Sequence, residues 1–305
     1  MNKIIISNEV NPYFNLALEE DLLRQAEDCT ILYLWQNERT VVIGNNQNPY
    51  LECNLKEMGK RDVLLARRLS GGGCVFHDLG NLNFTILMPV DKADQDKEMQ
   101  LILKTLKQFD LDVILTGRND IEVEEYKVSG HAFYQTDKAY YHHGTLMVNV
   151  NLSMLSDILT PSKLKINSKG INSIRKRVKN LTEFNKIITI PILKSALEKT
   201  FIKMYGPADV MEVSEQNLLV TQKEYYQSKE WLFSQSPEFD VLIERKYAKG
   251  LFQLTLNMKQ NVIVEAHFFT DSLERIHKPV IENYFIGMQF QEEMIWKELE
   301  KILGL

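Results

Sequence analysis

The sequence predicts an α/β (α+β) fold class, with a large α/β domain over residues 1–235 followed by a small α+β domain over residues 236–305. Three observations predict this division. Helix-period and strand-period segments are interspersed as far as Tyr205. A polar stretch, Gln235–Asp240 with Pro237 inside it, then breaks the pattern as a linker would. Beyond it, three strand-like runs come in succession and two helical runs follow. A chain of 305 residues is long enough for one large domain plus a small one.

Lys3–Ser7 is an apolar run of strand length. Pro12 opens a helix to about Gln25 that places Phe14, Leu18 and Leu22 on one face. Thr30–Trp35 and Thr40–Ile43 read as two strands joined by a polar turn at Asn37–Arg39. Val63–Arg68 and Asn83–Met88 read as two more, with a glycine-rich connection between them. Asp94–Phe109 has helical spacing, Asp112–Leu115 is a strand, and Asp120–Val150 holds several strand-like runs. A helix over Ile187–Tyr205 is ended by Gly206-Pro207. Val241–Tyr247, Leu251–Met258 and Val262–Phe269, with turns at Lys249-Gly250 and Lys259–Asn261, form a small antiparallel sheet. Helices over Lys278–Phe285 and Gln291–Ile302 complete the chain.

A hydrophobic share of 44% and a charged share of 25% are those of a packed globular protein. A net charge of -5 argues against nucleic acid as a main partner. Cys29, Cys53 and Cys74 form no CxxC pair, too sparse a set for a disulfide framework or a structural zinc site. The reducing cytosol is the natural setting for such usage. No stretch reaches the ~20 apolar residues of a membrane span, and the N-terminus lacks a signal-peptide core. The expectation is a cytoplasmic protein with no membrane partner.

The most informative stretch is Arg67-Arg68-Leu69-Ser70-Gly71-Gly72-Gly73-Cys74-Val75-Phe76-His77-Asp78. Three glycines remove every side chain that could shield the backbone and permit positive φ. Their N–H groups can curl into an anion site, and two arginines beside them suit phosphate or carboxylate oxygens. The same string is compatible with a tight turn between strands and two solvated arginines. It lacks the Lys-Ser/Thr of a P-loop and the GxGxxG spacing of a dinucleotide fingerprint. Lys127-Val128-Ser129-Gly130 can set an ammonium beside a closely approached ligand, or be plain surface charge. His142 and His143 are adjacent, and neighbours on a strand face opposite ways, which disfavours a metal held by both. Lys169–Val178 is a basic cluster: either a solvated helix start or a loop that meets polyphosphate or an acidic partner.

The strings RRLSGGGCVFHDLGNLNFT, KVSGHA, HHGTLMVNVNL and KGINSIRKRVKNLTE occur in this order, preceded by NPYFNLALEE and LWQNERTVVIGNNQNPYLECN and followed by FFTDSL. Together they closely resemble the lipoate–protein ligase A family over nearly the whole chain. The resemblance implies a biotin/lipoate ligase-like catalytic domain built on a mixed β-sheet, with a small C-terminal accessory domain. It implies two half-reactions: lipoate and ATP give lipoyl-AMP and pyrophosphate, then the acyl group passes to a lysine ε-amine. The acceptors implied are lipoyl domains of 2-oxoacid dehydrogenase complexes or the glycine-cleavage H protein.

Matched position by position, the resemblance gives ATP to Arg68 and to Gly73, Cys74, Val75 and Phe76. Lys127 contacts both lipoate and the α-phosphate as an electrostatic clamp. Leu16, Trp35, Val42, Ser70, His77, Ser129 and His143 line the lipoate slot, although Trp35 is equally placed to be plain core. Asp120 helps hold Mg²⁺ on the phosphates, and the Lys163–Arg177 loop closes over the nucleotide. Two positions depart from the family pattern. Cys74 stands where Ala is frequent and reads as a small-residue substitute. His131 stands where a small residue is common and alters the pocket rim. An octanoyl or lipoyl transferase of the same fold would use a cysteine nucleophile, need no ATP and lack the accessory domain. A non-catalytic lipoate- or nucleotide-binding protein would not need both Arg68 and Lys127.

Overall fold

The computed structural model describes residues 1–117, 119–159, 178–233 and 239–305. Fourteen strands are present among them: β1 Asn2–Ser7, β2 Ile31–Trp35, β3 Thr40–Ile43, β4 Leu64–Arg67, β5 Val75–His77, β6 Asn81–Pro89, β7 Val113–Thr116, β8 Asp120–Val123, β9 Tyr126–Gln135, β10 Ala139–Met147, β11 Ala208–Val213, β12 Val241–Tyr247, β13 Gly250–Lys259 and β14 Val262–Thr270. The longer helices are α1 Pro12–Gln25, α2 Gln95–Lys107, α3 Ile190–Tyr205, α4 Lys278–Phe285 and α5 Glu292–Leu303. Among the described residues no helix is long and apolar enough to cross a membrane.

Eight strands form one mixed sheet in the order β11-β1-β2-β6-β10-β9-β8-β7. β1 runs parallel to both β11 and β2, and the pairings from β2–β6 to β8–β7 are antiparallel. Alternation along β2 serves two cores at once. Ile31, Tyr33 and Trp35 join Phe14, Leu18 and Leu22 of α1 on one face. Leu32 and Leu34 join Leu101, Ile102 and Leu106 of α2 and Leu197 and Phe201 of α3 on the other. This two-sided burial explains why β2 reads as a continuous apolar run.

A second, three-stranded sheet, β4-β3-β5, carries the glycine-rich connection between β4 and β5. β2 and β3 therefore belong to different sheets, although a short polar turn joins them. β5 lies inside a stretch whose glycines mask its strand character. β11 has no sequence counterpart above, because its alternation is weak and Val210 and Met211 remain about half exposed at the sheet edge. The last part of the chain forms the antiparallel sheet β12-β13-β14, which packs Phe252, Leu254 and Phe268 against Phe285 of α4 and Trp296 of α5.

Two local features aim the fold at one place. Asn11 caps α1, its Oδ1 accepting from Tyr13 N at 2.9 Å and Phe14 N at 3.3 Å, with Pro12 in the first turn. The end of β14 reaches back to the glycine connection and to the loop after β3: Gly72 N donates to Ser272 O at 3.1 Å and Thr270 N to Asn46 O at 2.9 Å.

Candidate active site

A cavity opens between the β3–β5 sheet, α1 and the middle of the large sheet. Leu16, Trp35, Val42 and His77 form its less polar side. Arg68, Gly73, Cys74 and Val75 form a second wall, and Lys127 and His143 a third. Ten of the residues assigned to ATP or lipoate thus share one cavity, and His131 lines it too. Ser70, Phe76, Ser129 and Asp120 do not line it. Ser70 and Ser129 are fully buried behind the wall, and Phe76 is core. The Lys163–Arg177 loop lies outside the described residues.

The two arginines have different work. Arg67 is fully buried and donates to the carbonyls of Asn45, Gln47, Trp231 and Leu232 at 2.8–3.0 Å. Burial lowers its pKa to about 10, so it stays charged at neutral pH while holding chain segments together. Arg68 donates to Ser70 Oγ at 3.0 Å, Val42 O at 3.1 Å, and Gly71 O and Gly73 O at 2.7 Å each. It thereby folds the glycine connection around its own guanidinium. None of these acceptors is ionised, so the positive charge stays available to an anion in the cavity. Gly72 has a φ of +89°, and a Cβ there would lie 3.0 Å from the Arg68 guanidinium. A Cβ on Gly71 would approach Ser272 O to 2.6 Å. Glycine is thus required at both positions.

Lys127 lies on β9 with its Nζ 2.7 Å from Asp120 Oδ1 on β8. A Cβ on Gly130 would come within 2.9 Å of Lys127 Nζ and 3.0 Å of Cε, so the lysine stem rests on bare backbone. Among the described residues no cluster of three metal-ligating side chains occurs. A single carboxylate suits Mg²⁺ carried in on phosphates better than a protein-built cage.

Behind the cavity runs a chain of polar contacts. Ser70 Oγ lies 2.8 Å from His143 Nε2, and His143 Nδ1 lies 2.9 Å from Glu19 Oε1. Glu19 also accepts from Thr85 Oγ1 at 2.6 Å, and Thr85 accepts from Trp35 Nε1 at 3.0 Å. Trp35 is therefore both core and polar anchor. Glu19 and Thr85 support the cavity wall through these contacts, and the sequence reading missed both. The signal for Glu19 was present: Asn15 and Glu19 stand four apart on the buried face of α1.

Two buried donors face the cavity. His77 Nδ1 lies 3.2 Å from Asn37 Nδ2, which assigns Nδ1 as acceptor and leaves a proton on Nε2. Asn83 Oδ1 accepts from Asn81 Nδ2 at 2.9 Å. His77 Nε2 and Asn83 Nδ2 are buried and find no partner among the described residues. Such groups are costly unless a ligand supplies an acceptor. Burial, with Arg68 and His143 nearby, pushes the His77 pKa down to about 3. The ring is a neutral donor at physiological pH.

A guanidinium, an ammonium, a glycine backbone and two neutral N–H donors around one partly apolar cavity define a site for joining anionic, apolar-tailed substrates. The sequence comparisons agree. Residues 11–202 match the family described as the lipoyl protein ligase A/B catalytic domain, and residues 236–303 match the bacterial lipoate protein ligase C-terminus. The chain is 43% identical over 283 residues to a lipoate-protein ligase A of Psychrobacter cryohalolentis, covering 89% of this chain and 84% of that protein. Among solved structures it superposes with a TM-score of 0.82 and 31% identity on P. falciparum LipL1 in complex with lipoate, over 97% of this chain and 93% of that one. A bipartite ligase from Thermoplasma acidophilum, described with its E2 lipoyl domain, aligns at a TM-score of 0.68 and 28% identity over 79% and 99% of the two chains. A lipoate-protein ligase A bound with ATP aligns at 0.63 and 27% identity over 76% and 98%. The class is thus a ligase, and the chain belongs to the lipoate–protein ligase A family.

Proposed function

We propose that this protein activates lipoate with ATP to lipoyl-AMP and transfers the lipoyl group to a lysine of a lipoyl domain or of the glycine-cleavage H protein. The observation that carries this reading is the convergence of Arg68 and Lys127 on a single cavity with an apolar side. Relatives with the same architecture are described with lipoate, with ATP and with a lipoyl domain. In this reading residues 1–235 form the adenylating domain and residues 236–305 the accessory domain.

The chemistry follows from charge. A carboxylate is a poor acyl donor because its leaving group would be oxide. Joining it to the α-phosphate expels pyrophosphate and supplies a good leaving group. Two anions must meet, so positioning and charge stabilisation dominate the barrier. Arg68 and the Gly73–Phe76 backbone hold the phosphates. Lys127 sits between the incoming carboxylate and the α-phosphate and neutralises charge as the new bond forms. Leu16, Trp35 and Val42 receive the acyl tail, with His77 and His143 supplying polar edges. Ser70 acts from behind through His143. Mg²⁺, with Asp120 as a ligand, would neutralise charge on the phosphates. In the second half-reaction, a neutral lysine amine attacks the acyl carbon and AMP departs. The test is pyrophosphate release. It should require ATP, a divalent cation and lipoate together. Equal transfer from a lipoylated carrier without ATP would overturn the reading in favour of a transferase.

A further inference from the structure

The family reading leaves unused a second polar chain, on the opposite face of the sheet from Glu19 and His143. Glu98 of α2 is fully buried; its Oε2 accepts from Tyr140 Oη at 3.0 Å, and its Oε1 accepts from Asp94 N at 3.1 Å. Oε2 also lies 3.1 Å from His142 Nδ1. The approach is off the ideal hydrogen-bonding direction, so the contact is mainly electrostatic. His142 Nε2 lies 2.8 Å from His131 Nδ1, and His131 Nε2 lies 3.0 Å from Ser129 Oγ. Phe133 and Phe84 flank the His142 ring, with centroids 4.6 Å and 5.6 Å away.

The Glu98 carboxylate biases the proton positions along this chain. Burial holds both imidazoles below their usual pKa, so each carries one ring proton at neutral pH. The Glu98 carboxylate favours a proton on His142 Nδ1, which makes His142 Nε2 an acceptor. His131 must then donate from Nδ1 and accept at Nε2, and Ser129 must donate its hydroxyl proton to His131. Ser129 has no hydrogen left to offer a carboxylate in the cavity. In this arrangement its hydroxyl is engaged with His131.

The chain grips the peptide that matters for Lys127. Ser129 and His131 flank Gly130, and their side chains are tied to each other and to β10. Asn119 adds two bonds to the His131 backbone: its O accepts from His131 N, and its Nδ2 donates to His131 O, both at 3.0 Å. Gly130 is the residue on whose bare Cα the Lys127 stem rests. A shift of this peptide shifts the ammonium directly.

We propose that Glu98, His142, His131 and Ser129 form a positioning chain for Lys127, with His131 as the link that fixes the Gly130 peptide beneath the ammonium. This rests on the reading of Lys127 given above. The consequence is a defect in the adenylation rate without loss of substrate affinity, because small misplacement of a reacting group costs rate steeply.

The test uses the full chain, with ATP, magnesium and lipoate, and follows pyrophosphate release and thermal unfolding. His131→Ala and His142→Leu should each lower kcat about tenfold, with KM for both substrates within about twofold. His142→Gln can donate and accept along the same line and should recover most of the rate. In a Lys127→Ala background, His131→Ala should cost nothing further, as expected for residues acting in one unit. If His142→Leu fails to fold, Ser129→Ala breaks the other end of the chain and carries the same expectation. A raised KM with unchanged kcat in His131→Ala would make His131 a substrate contact and overturn the proposal. Unchanged kcat in His131→Ala alongside an inactive Lys127→Ala would overturn the proposal and leave the ligase reading intact. Full activity in Lys127→Ala alone would remove the reading on which both depend.

Discussion

Asp120 and Lys127 neutralise one another at the cavity wall, Oδ1 to Nζ at 2.7 Å, with each side chain about one third exposed. An anionic ligand must therefore win the ammonium from a carboxylate already in place. In the proposed reaction, a divalent cation arriving with the phosphates would occupy that carboxylate and release the lysine, which would link metal binding to the availability of Lys127.

Lys127→Ala should lower adenylate formation by ~10²–10³. Lys127→Arg should also be poor, because a planar fork does not reproduce a compact charge resting on Gly130. Thermal unfolding should change little, since the side chain is partly exposed and its loss opens no core cavity. Near wild-type pyrophosphate release from the alanine variant would contradict the mechanism at its centre.

Cys74→Ala should retain most activity. Cys74 lies in the cavity wall between Gly73 and Val75, and its proposed contribution is backbone. Mass spectrometry after incubation with an octanoylated or lipoylated carrier would detect an acyl group on Cys74. A trapped thioester together with complete loss in the variant would favour the transferase chemistry.

Stability should fall as pH drops below about 6.5. The folded pKa of His77 is near 3, and those of His131 and His142 are lowered too. The unfolded chain binds protons that the native state refuses. The stabilisation is fully present above the unfolded pKa and is lost as pH falls toward the folded one. Each imidazole contributes up to about 1.4 kcal/mol per pH unit in that window. Urea midpoints at pH 7 and pH 5 measure the effect, and equal midpoints would argue against buried neutral rings.

The accessory domain should move relative to the rest during turnover. Its described contacts with the rest of the chain include two backbone hydrogen bonds, from Gly72 N in the glycine connection to Ser272 O and from Thr270 N to Asn46 O in the loop after β3. In the proposed two-step reaction, one step must exclude water and the other must admit a protein. Small-angle scattering with and without a lipoyl-AMP analogue should give different envelopes. Identical envelopes would count against the movement.

Much of this was legible in the sequence, for identifiable reasons. The glycine run, Lys127 and His143 are marked by backbone demands and by motif order, and the cavity collects them. The helices at Pro12 and Lys278 announce themselves by proline in the first turn. Arg67 and Arg68 cannot be told apart from sequence, because one is tied to carbonyls of Trp231 and Leu232, more than 160 positions away. Ser129 and Ser70 are buried beside the cavity, and each engages a histidine that lines it, His131 and His143, a pairing that only the fold reveals. The Glu98–His142 contact joins α2 to β10, and only the packing of that helix on that face reveals it.

The two histidine chains arise from a single dipeptide, since His142 and His143 point to opposite faces of β10 and each answers a different acid. That makes strand registration a chemical as well as a geometric matter. Slipping β10 by one residue would hand His143 to Glu98 and leave Glu19 facing a glycine. The opposite slip would hand His142 to Glu19 and set a tyrosine against Glu98. Either error would satisfy one acid and look half correct by polar pairing alone. What rejects both is steric: Gly144 lies opposite Phe84, and a Cβ there would come within 2.6 Å of the ring. Either misaligned neighbour, His143 or Thr145, brings that carbon. The glycine after the histidines is the proofreading element of the strand, and its replacement by alanine would erase the distinction between the right alignment and its two impostors.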